Sequence, residues 1–469
     1  MNKKASIAGA AVFLIIGIII LFAKPFLPAL SDKGHYVISM LIITIGLWIF
    51  RPFAIPLSVS GAFFMASALV IGIPAKEVFS GFSTSAVWTL IPALFFGFAL
   101  AKTGLGKRIA YFGMKITTLS YGKLLLMWAL IGIALSALTP SINVRVVIIT
   151  PIALNCVDIL KLEKGSKERS LILLSAFAMA IIPGTGWITG SLNGPVINGL
   201  YTAVPQLGAI TFNEWLKVSL LPAGLISVLT LVLGYFTIKP SKPLKLSKEI
   251  FIEEYNKLGS PSKQEKVTGL ILTLSFIMFV TNSIHHVPDA ATCLIALFLL
   301  TAFGIVKLGD VGSGISWDLV IFIGTAMGLS AIFTQSGVSG WLSSILLKAI
   351  SPVCVSPWLF IYATLIAMFL LRFIDIASFI PTMAVLMSVI PQLSASYGIN
   401  PLVWIPLFTI AINAFFLNYQ NMFALVAESN FENNGWVKKH FSIYGCVYFV
   451  ACMIAMLFAI PYYMAIGMF

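Results

Sequence analysis

The run Thr139-Pro140-Ser141-Ile142-Asn143-Val144-Arg145 sets a permanent cation beside a hydroxyl and an amide, inside a stretch otherwise rich in valine and isoleucine. A guanidinium is planar and always charged. Its N–H donors form a fork that meets a carboxylate or sulfo-oxyanion two bonds at a time. Placing arginine in the middle of a membrane span costs about 2.5–3.5 kcal/mol on insertion scales, so such a residue faces a cavity or a partner. Two structural roles compete with an anion fork for Arg145: an ion pair with Asp375 or Glu428, and snorkelling to the headgroups. The fork is the reading adopted here, with Ser141 and Asn143 beside it.

A second polar island is "GTGWITGSLNGP" (184–195), with four glycines and a proline in twelve residues. Helix propensity falls steeply there. Where a helix breaks and restarts, the amides at the new N-terminus carry partial positive charge and suit an anion. The carbonyls freed by the same break suit Na⁺. Gly190, Asn193 and Gly194 lie in this island, and "FLNYQNMFALVAES" (416–429) offers a comparable break with Asn421. Further charge sits in "LRFIDIASFIPTMAVL" (371–386), where Arg372 and Asp375 at i, i+3 can pair on one helix face. Asp375 is also a candidate cation ligand, and Ser378 or Thr382 can supply a hydroxyl.

These islands must be held by a membrane scaffold. Of the 469 residues, 59% are hydrophobic and only 10% are charged, against about a quarter charged in soluble domains. Mean hydropathy is +1.02, and apolar runs of roughly 20 residues recur along the chain. The fold class is therefore an all-α polytopic membrane protein. The short alternating segments of a membrane β-barrel do not appear. Inside hydrocarbon an irregular backbone survives only when buried in protein or lining a wet cavity, so the broken segments are expected to act as broken helices or re-entrant hairpins.

The net charge is +13, and lysines cluster in "KLEKGSKER" (161–169) and in the polar stretch 239–266. Basic residues in short loops stay on the cytoplasmic side. This predicts a cytoplasmic N-terminus and a cytoplasmic basic linker over 239–266, with the first apolar span kept as a helix. No motif points to nucleic acid. The five cysteines are scattered singly and show no metal spacing.

The linker divides the chain into a first half, 1–238, and a second half, 267–469. "WTLIPALFFGFALAKTGLGKRI", from Trp88, is echoed by "WDLVIFIGTAMGLSAIFTQSGVSGWL", from Trp317: a tryptophan, an apolar span, then Thr103-Gly104 or Ser336-Gly337. Each half then carries its own polar breaks. Such paired interruptions point to a secondary transporter built from two repeats. An odd number of spans per half makes the topology inverted.

"TPSINVRVVIITPIAL" (139–154) resembles the first signature of the divalent anion:sodium symporter family, whose usual form is Ser-Asn-Thr with a proline about ten positions after the serine. Ser141 and Pro151 keep that spacing, while Ile142 and Asn143 replace Asn-Thr. Arg145 stands where exchanger-like members carry an arginine. "GSLNGPVI" (190–197) is similar to the family's Gly-Ser-Pro-Pro-Asn loop, with Asn193 matching its asparagine, and "NYQNMFAL" (418–425) holds the equivalent place with Asn421. The second Ser-Asn-Thr signature, expected near Asp375–Thr382, is not intact. The resemblance implies a carrier of dicarboxylates, citrate or sulfate, with a substrate-holding part moving against a dimeric scaffold.

The expected function is secondary transport of a small divalent organic anion by exchange or Na⁺-coupled symport. The alternatives are a sulfate, sulfonate or other oxyanion carrier, and a cation antiporter. Expected substrate contacts are Ser141, Asn143, Arg145, Asn193, Gly194, Ser378, Thr382 and Asn421. If Na⁺ is coupled, its ligands are expected from Ser141, Asn143, Gly190 and Asp375. Cofactors and other metals are not expected. An enzyme is not expected either, because the sequence carries no phosphate loop, metal cluster or nucleophile–base set.

Overall fold

The computed structural model describes every residue except 1–2, 117–119, 242–243, 245–248, 374–378 and 432–433. Helices make up the regular structure of the described residues, and none of those residues forms a strand.

The opening group is α1 (Lys3–Ala23), α2 (Asp32–Phe50), α3 (Leu57–Val70) and the single turn α4 (Ala75–Val78). The first half then runs through α5 (Ser85–Thr103), α6 (Leu105–Ile116) and α7 (Tyr121–Leu138) to α8 (Ile142–Ile159). It continues with α9 (Lys167–Ile181), α10 (Asn193–Thr202) and α11 (Phe212–Thr237). The linker carries α12 (Glu249–Lys257) and the start of α13 (Lys263–Val280), and the second half then opens with the rest of α13, α14 (Asn282–His285), α15 (Asp289–Ala302) and α16 (Leu308–Ser313). It continues with α17 (Trp317–Ser336), α18 (Val338–Ile350), α19 (Pro357–Leu371) and α20 (Ile380–Leu386). It closes with α21 (Ile390–Tyr397), α22 (Trp404–Ile412), α23 (Met422–Asn430) and α24 (Lys438–Ala465).

The second half repeats the element order of the first. α5 ends at Gly104, with φ 82°, and α17 ends at Gly337, with φ 77°. Both glycines adopt the left-handed conformation that closes a helix, which a Cβ would oppose. The chain turns at each and starts a shorter helix, α6 or α18. The helices α7 and α19 follow; α7 leads into a break, and α19 ends at Leu371. α9 and α22 likewise run into unwound segments, from which α10 and α23 restart. The long helices α11 and α24 end the two halves and pack along each other.

Nine helices among the described residues are long and apolar enough to cross a membrane: α1, α2, α5, α7, α8, α9, α11, α17 and α24. Their settings differ sharply. The α1 window is 17% buried, whereas that of α9 is buried along its whole length. A helix apolar on all sides and wrapped by protein marks the centre of the bundle, and this one leads directly into the glycine-rich island.

The linker is not a free tether. Glu265 caps its own helix, and its carboxylate takes Arg108 Nε at 2.7 Å and Arg108 Nη2 at 3.1 Å. Arg108 also donates to the carbonyls of Gly259 at 2.8 Å and Leu258 at 3.1 Å. One guanidinium on α6 thus fastens the end of the linker, while α12 packs against the same helix.

Candidate functional site at the helix breaks

The first break separates α7 from α8. Leu138 ends one helix, Pro140 supplies no N–H to continue it, and Ser141 opens the next by accepting Val144 N–H on its hydroxyl at 3.4 Å. Three residues into α8, Arg145 is fully buried, with 0% exposure. Its Nε donates to Ala180 O at 2.8 Å and its Nη1 to Thr139 O at 2.7 Å. Thr139 lies in the break and Ala180 in the last turn of α9. The guanidinium therefore ties together two places where helices end and leave carbonyls without amide partners. Its remaining nitrogen, Nη2, is buried without a hydrogen-bond partner among the described residues.

Snorkelling and a pair with Glu428, two of the structural roles weighed for Arg145, do not match this geometry. Full burial rules out snorkelling. Glu428 accepts from Asn418 at 2.6 Å and Trp436 at 3.1 Å. Asp375 lies outside the described residues. Nor is the fork presented whole, since two of its three nitrogens are committed to backbone carbonyls.

The second break of this half, 182–192, is two short 3-10 turns, Pro183–Gly186 and Ile188–Gly190, before α10. Two indoles hold it. Trp215 Nε1 donates to Thr185 O at 3.0 Å, and Trp187 Nε1 donates to Ser136 O at 3.2 Å. A Cβ built on Gly184 would stand 2.2 Å from Gly190 O and 3.0 Å from Arg145 Nη2. A Cβ on Gly190 would stand 2.2 Å from Gly184 O. No side chain fits at either position, so the backbone alone forms this wall.

Both breaks reach one narrow crevice of about 10 Å³, about the room that one water needs. Thr139 and Pro140 line it from the first break, Thr189 and Pro195 from the second, and Thr89 and Cys293 from α5 and α15. Thr189 is 7% exposed, and its hydroxyl has no hydrogen-bond partner among the described residues. A buried hydroxyl left unpaired costs about 1–3 kcal/mol, so its presence in a crevice wall marks a place built for something polar.

The second half has a matching arrangement. Arg372, 2% exposed at the end of α19, donates through Nη2 to the carbonyl of Gln420 in the break between α22 and α23. Gln420 Oε1 accepts Leu417 N–H at 2.8 Å, while Gln420 Nε2 and Asn413 Oδ1 are buried without partners among the described residues. Asn421 caps α23, accepting Phe423 N–H at 3.0 Å, and reaches Asn413 O at 3.5 Å.

The expected residues thus fall into two clusters. Ser141, Arg145, Gly190, Asn193 and Gly194 are buried around the breaks of the first half, and Asn421 is buried at that of the second. Thr382 is half-buried on α20, and Ser378 lies outside the described residues. Asn143 is the correction: it is exposed on α8. Residues two apart on a helix point about 200° apart, so burying Arg145 turns Asn143 outward. No described hydrogen bond joins the Arg145 cluster to the Asn421 cluster. Thr189, Asn413 and Gln420 were missed: Thr189 and Gln420 lie within the polar islands at 184–195 and 416–429 but were not singled out there, and the signal for Asn413 was a polar residue inside an apolar run.

The profile of the family described as "Sodium:sulfate symporter transmembrane region" matches residues 4–469. The chain belongs to that family, the divalent anion:sodium symporters. It is accordingly a multi-pass membrane transporter and not an enzyme. Among its relatives is the chloroplastic dicarboxylate transporter 2.1 of Arabidopsis thaliana, 26% identical over 62% of this chain and 53% of that protein. Another is the inner membrane protein YbhI of Escherichia coli, 25% identical over 74% of each chain. In fold the chain is similar to the crystal structure of the YdaH transporter of Alcanivorax borkumensis. That match has a TM-score of 0.55 at 15% identity and covers 84% of this chain and 88% of that one.

Proposed function

We propose that this family member is a secondary carrier of small divalent organic anions, of the di- or tricarboxylate class, working by alternating access. The observation that carries this reading is the crevice shared by the two breaks of the first half. It has a partnerless hydroxyl at Thr189, and the positive charge of Arg145 lies behind its wall, bonded to the carbonyl of the lining Thr139. A desolvated donor near a fixed cation is what a small anion needs in place of water. The dicarboxylate named for the plant relative supports that substrate class.

In this reading Ser141, Asn193 and Gly194 frame the anion from the first half. Thr382 and Asn421, with Ser378, do so from the second. Arg145 acts through its field rather than as a two-pronged contact. The two halves are inverted-topology repeats, and the chain works as a homodimer in the inner membrane with the N-terminus and the linker cytoplasmic. The density of lysine in and around the linker supports that orientation.

The test is uptake into proteoliposomes of a panel of labelled anions: succinate, malate, citrate, sulfate and a monocarboxylate control. The expected result is saturable uptake of a C4 or C6 organic anion, with the monocarboxylate excluded. Sulfate uptake alone moves the assignment to an inorganic oxyanion carrier. Uptake of none of them contradicts the reading.

A further inference from the structure

We infer that the groove between α11 and α24, the helices that close the two halves, binds one anionic phospholipid, its phosphate at Lys439 and an acyl chain along α24. This site is independent of which anion the carrier moves.

The two helices run antiparallel. Near the end of α24, Tyr462 and Tyr463 donate to the carbonyls of Lys217 and Val218 near the start of α11, at 2.9 Å and 2.6 Å. Toward the other end Gly234 lies against Tyr444, where an added Cβ would stand 2.5 Å from the ring. A groove of about 600 Å³ opens there on the bundle surface, within the range of small-ligand sites. Thr237, the last residue of α11, lines it together with Lys439, Ser442, Ile443, Val447 and Val450 of α24. Exposed Phe236 and Val232 flank it on α11, so the groove faces hydrocarbon.

Its polarity is graded. The polar lining residues Thr237, Lys439 and Ser442 gather where α11 stops and α24 begins, and the α24 lining beyond them is apolar except for the thiol of Cys446. Lys439 and Val450 lie about 16 Å apart along the helix at about 1.5 Å per residue. One leaflet of hydrocarbon is about 15 Å thick. The groove thus has the length of one acyl chain running from a headgroup to the bilayer midplane.

The mouth is basic. Lys438, Lys439 and Lys239 are exposed, and none of the ion pairs among the described residues involves them. Two hydrogen bonds draw a further lysine-bearing segment to the same end. Ser241 N–H donates to the buried carboxylate of Glu168 at 2.6 Å, and Val437 N–H to the hydroxyl of Ser170 at 3.4 Å. The segment they hold carries exposed Lys167. Lysines gathered where helices leave the membrane attract anionic headgroups. A second copy of the chain fits this mouth poorly. A two-fold axis along the membrane normal keeps each residue at its depth, so a shared groove would set one lysine rim against another.

Cys446 supplies the probe: it lines the groove and is exposed, whereas the other four cysteines are buried. Purified full-length protein in detergent is labelled with N-ethylmaleimide and followed by intact mass, while dioleoyl phosphatidylglycerol or dioleoyl phosphatidylcholine is titrated in. Phosphatidylglycerol is expected to halve the labelling rate at a concentration at least about tenfold lower than phosphatidylcholine, the scale of two lysines attracting an anionic lipid. Lys439→Gln should remove about fivefold of that preference, the share of one lysine. Lys348→Gln, at an exposed lysine on α18, should leave it unchanged. Equal protection by the two lipids, or protection by neither, overturns the inference. An undiminished preference in Lys439→Gln overturns it too. Protection that grows with protein concentration in the absence of lipid gives the groove to a second copy and overturns it as well.

Discussion

The side-chain amide of Asn430 donates to the hydroxyl of Thr150 at 3.0 Å. Asn430 ends α23 in the second half and Thr150 lies midway along α8 in the first, so the contact pins the restarted helix of one half to the helix that carries Arg145 in the other. Thr150 is buried and passes its own proton to Val146 O at 2.7 Å. Thr150→Val keeps the volume and removes the acceptor, which should cost about 1 kcal/mol. A double-mutant cycle with Asn430→Ala, read by thermal unfolding of purified protein, should show coupling between the two sites. Additive effects would mean that the bond does not connect the halves.

Gly184 and Gly190 face each other so closely that either Cβ would lie 2.2 Å from the opposite carbonyl oxygen. Gly184→Ala and Gly190→Ala should each push the break at 182–192 apart, displace Thr189 between them, and lower uptake by at least about tenfold, the scale of a misplacement at a reacting or binding centre. Gly122, whose added Cβ meets nothing within 4 Å, provides a control at which alanine should be tolerated.

Thr189 distinguishes a binding role from a structural one. Its hydroxyl makes no hydrogen bond among the described residues, so Thr189→Val should leave thermal stability unchanged or slightly raised. The same variant should raise the KM for the transported anion by about tenfold, equivalent to ~1.4 kcal/mol. Thr189→Ser, which restores the hydroxyl, should recover most of that loss. An unchanged KM in Thr189→Val would remove Thr189 from the site.

The linker offers an independent prediction. Arg108 and Glu265 are both nearly buried, and their closest approach is 2.7 Å. Removing one member of such a pair leaves a buried charge and typically costs about 3–5 kcal/mol. Glu265→Ala should therefore free the segment around Leu258 and Gly259, whose carbonyls Arg108 holds. Limited proteolysis should cut the variant within 249–262 at a rate where the wild type stays intact. Equal resistance would show that α12 is held by its packing on α6 alone.

Much of this architecture was legible from hydropathy and from glycine and proline. The breaks at 139–141 and 182–192 were visible because neither residue type sustains a helix. The paired helix ends at Gly104 and Gly337 could be read from Thr-Gly and Ser-Gly after matched apolar spans. What Arg145 bonds to was not legible: backbone carbonyls leave no mark in a sequence, whereas Asp375 and Glu428 stood out as partners. Asn143 was placed on the wrong side because the facing of α8 depends on Ser141 being its cap. Thr189, Asn413 and Gln420 were overlooked because only packing decides which polar atoms end without a partner. The linker read as solvated charge, since nothing in its composition announced that Arg108 would reach across to hold it.

The central claim is that the anion sits where the two breaks of the first half meet. The most direct measurement is a crystal structure with 2-bromosuccinate bound, in which anomalous scattering locates the bromine. The account predicts a peak in the crevice, adjoining Thr189 and the Thr139–Ser141 turn. A peak on the α11–α24 surface, or none at saturating ligand, would contradict it.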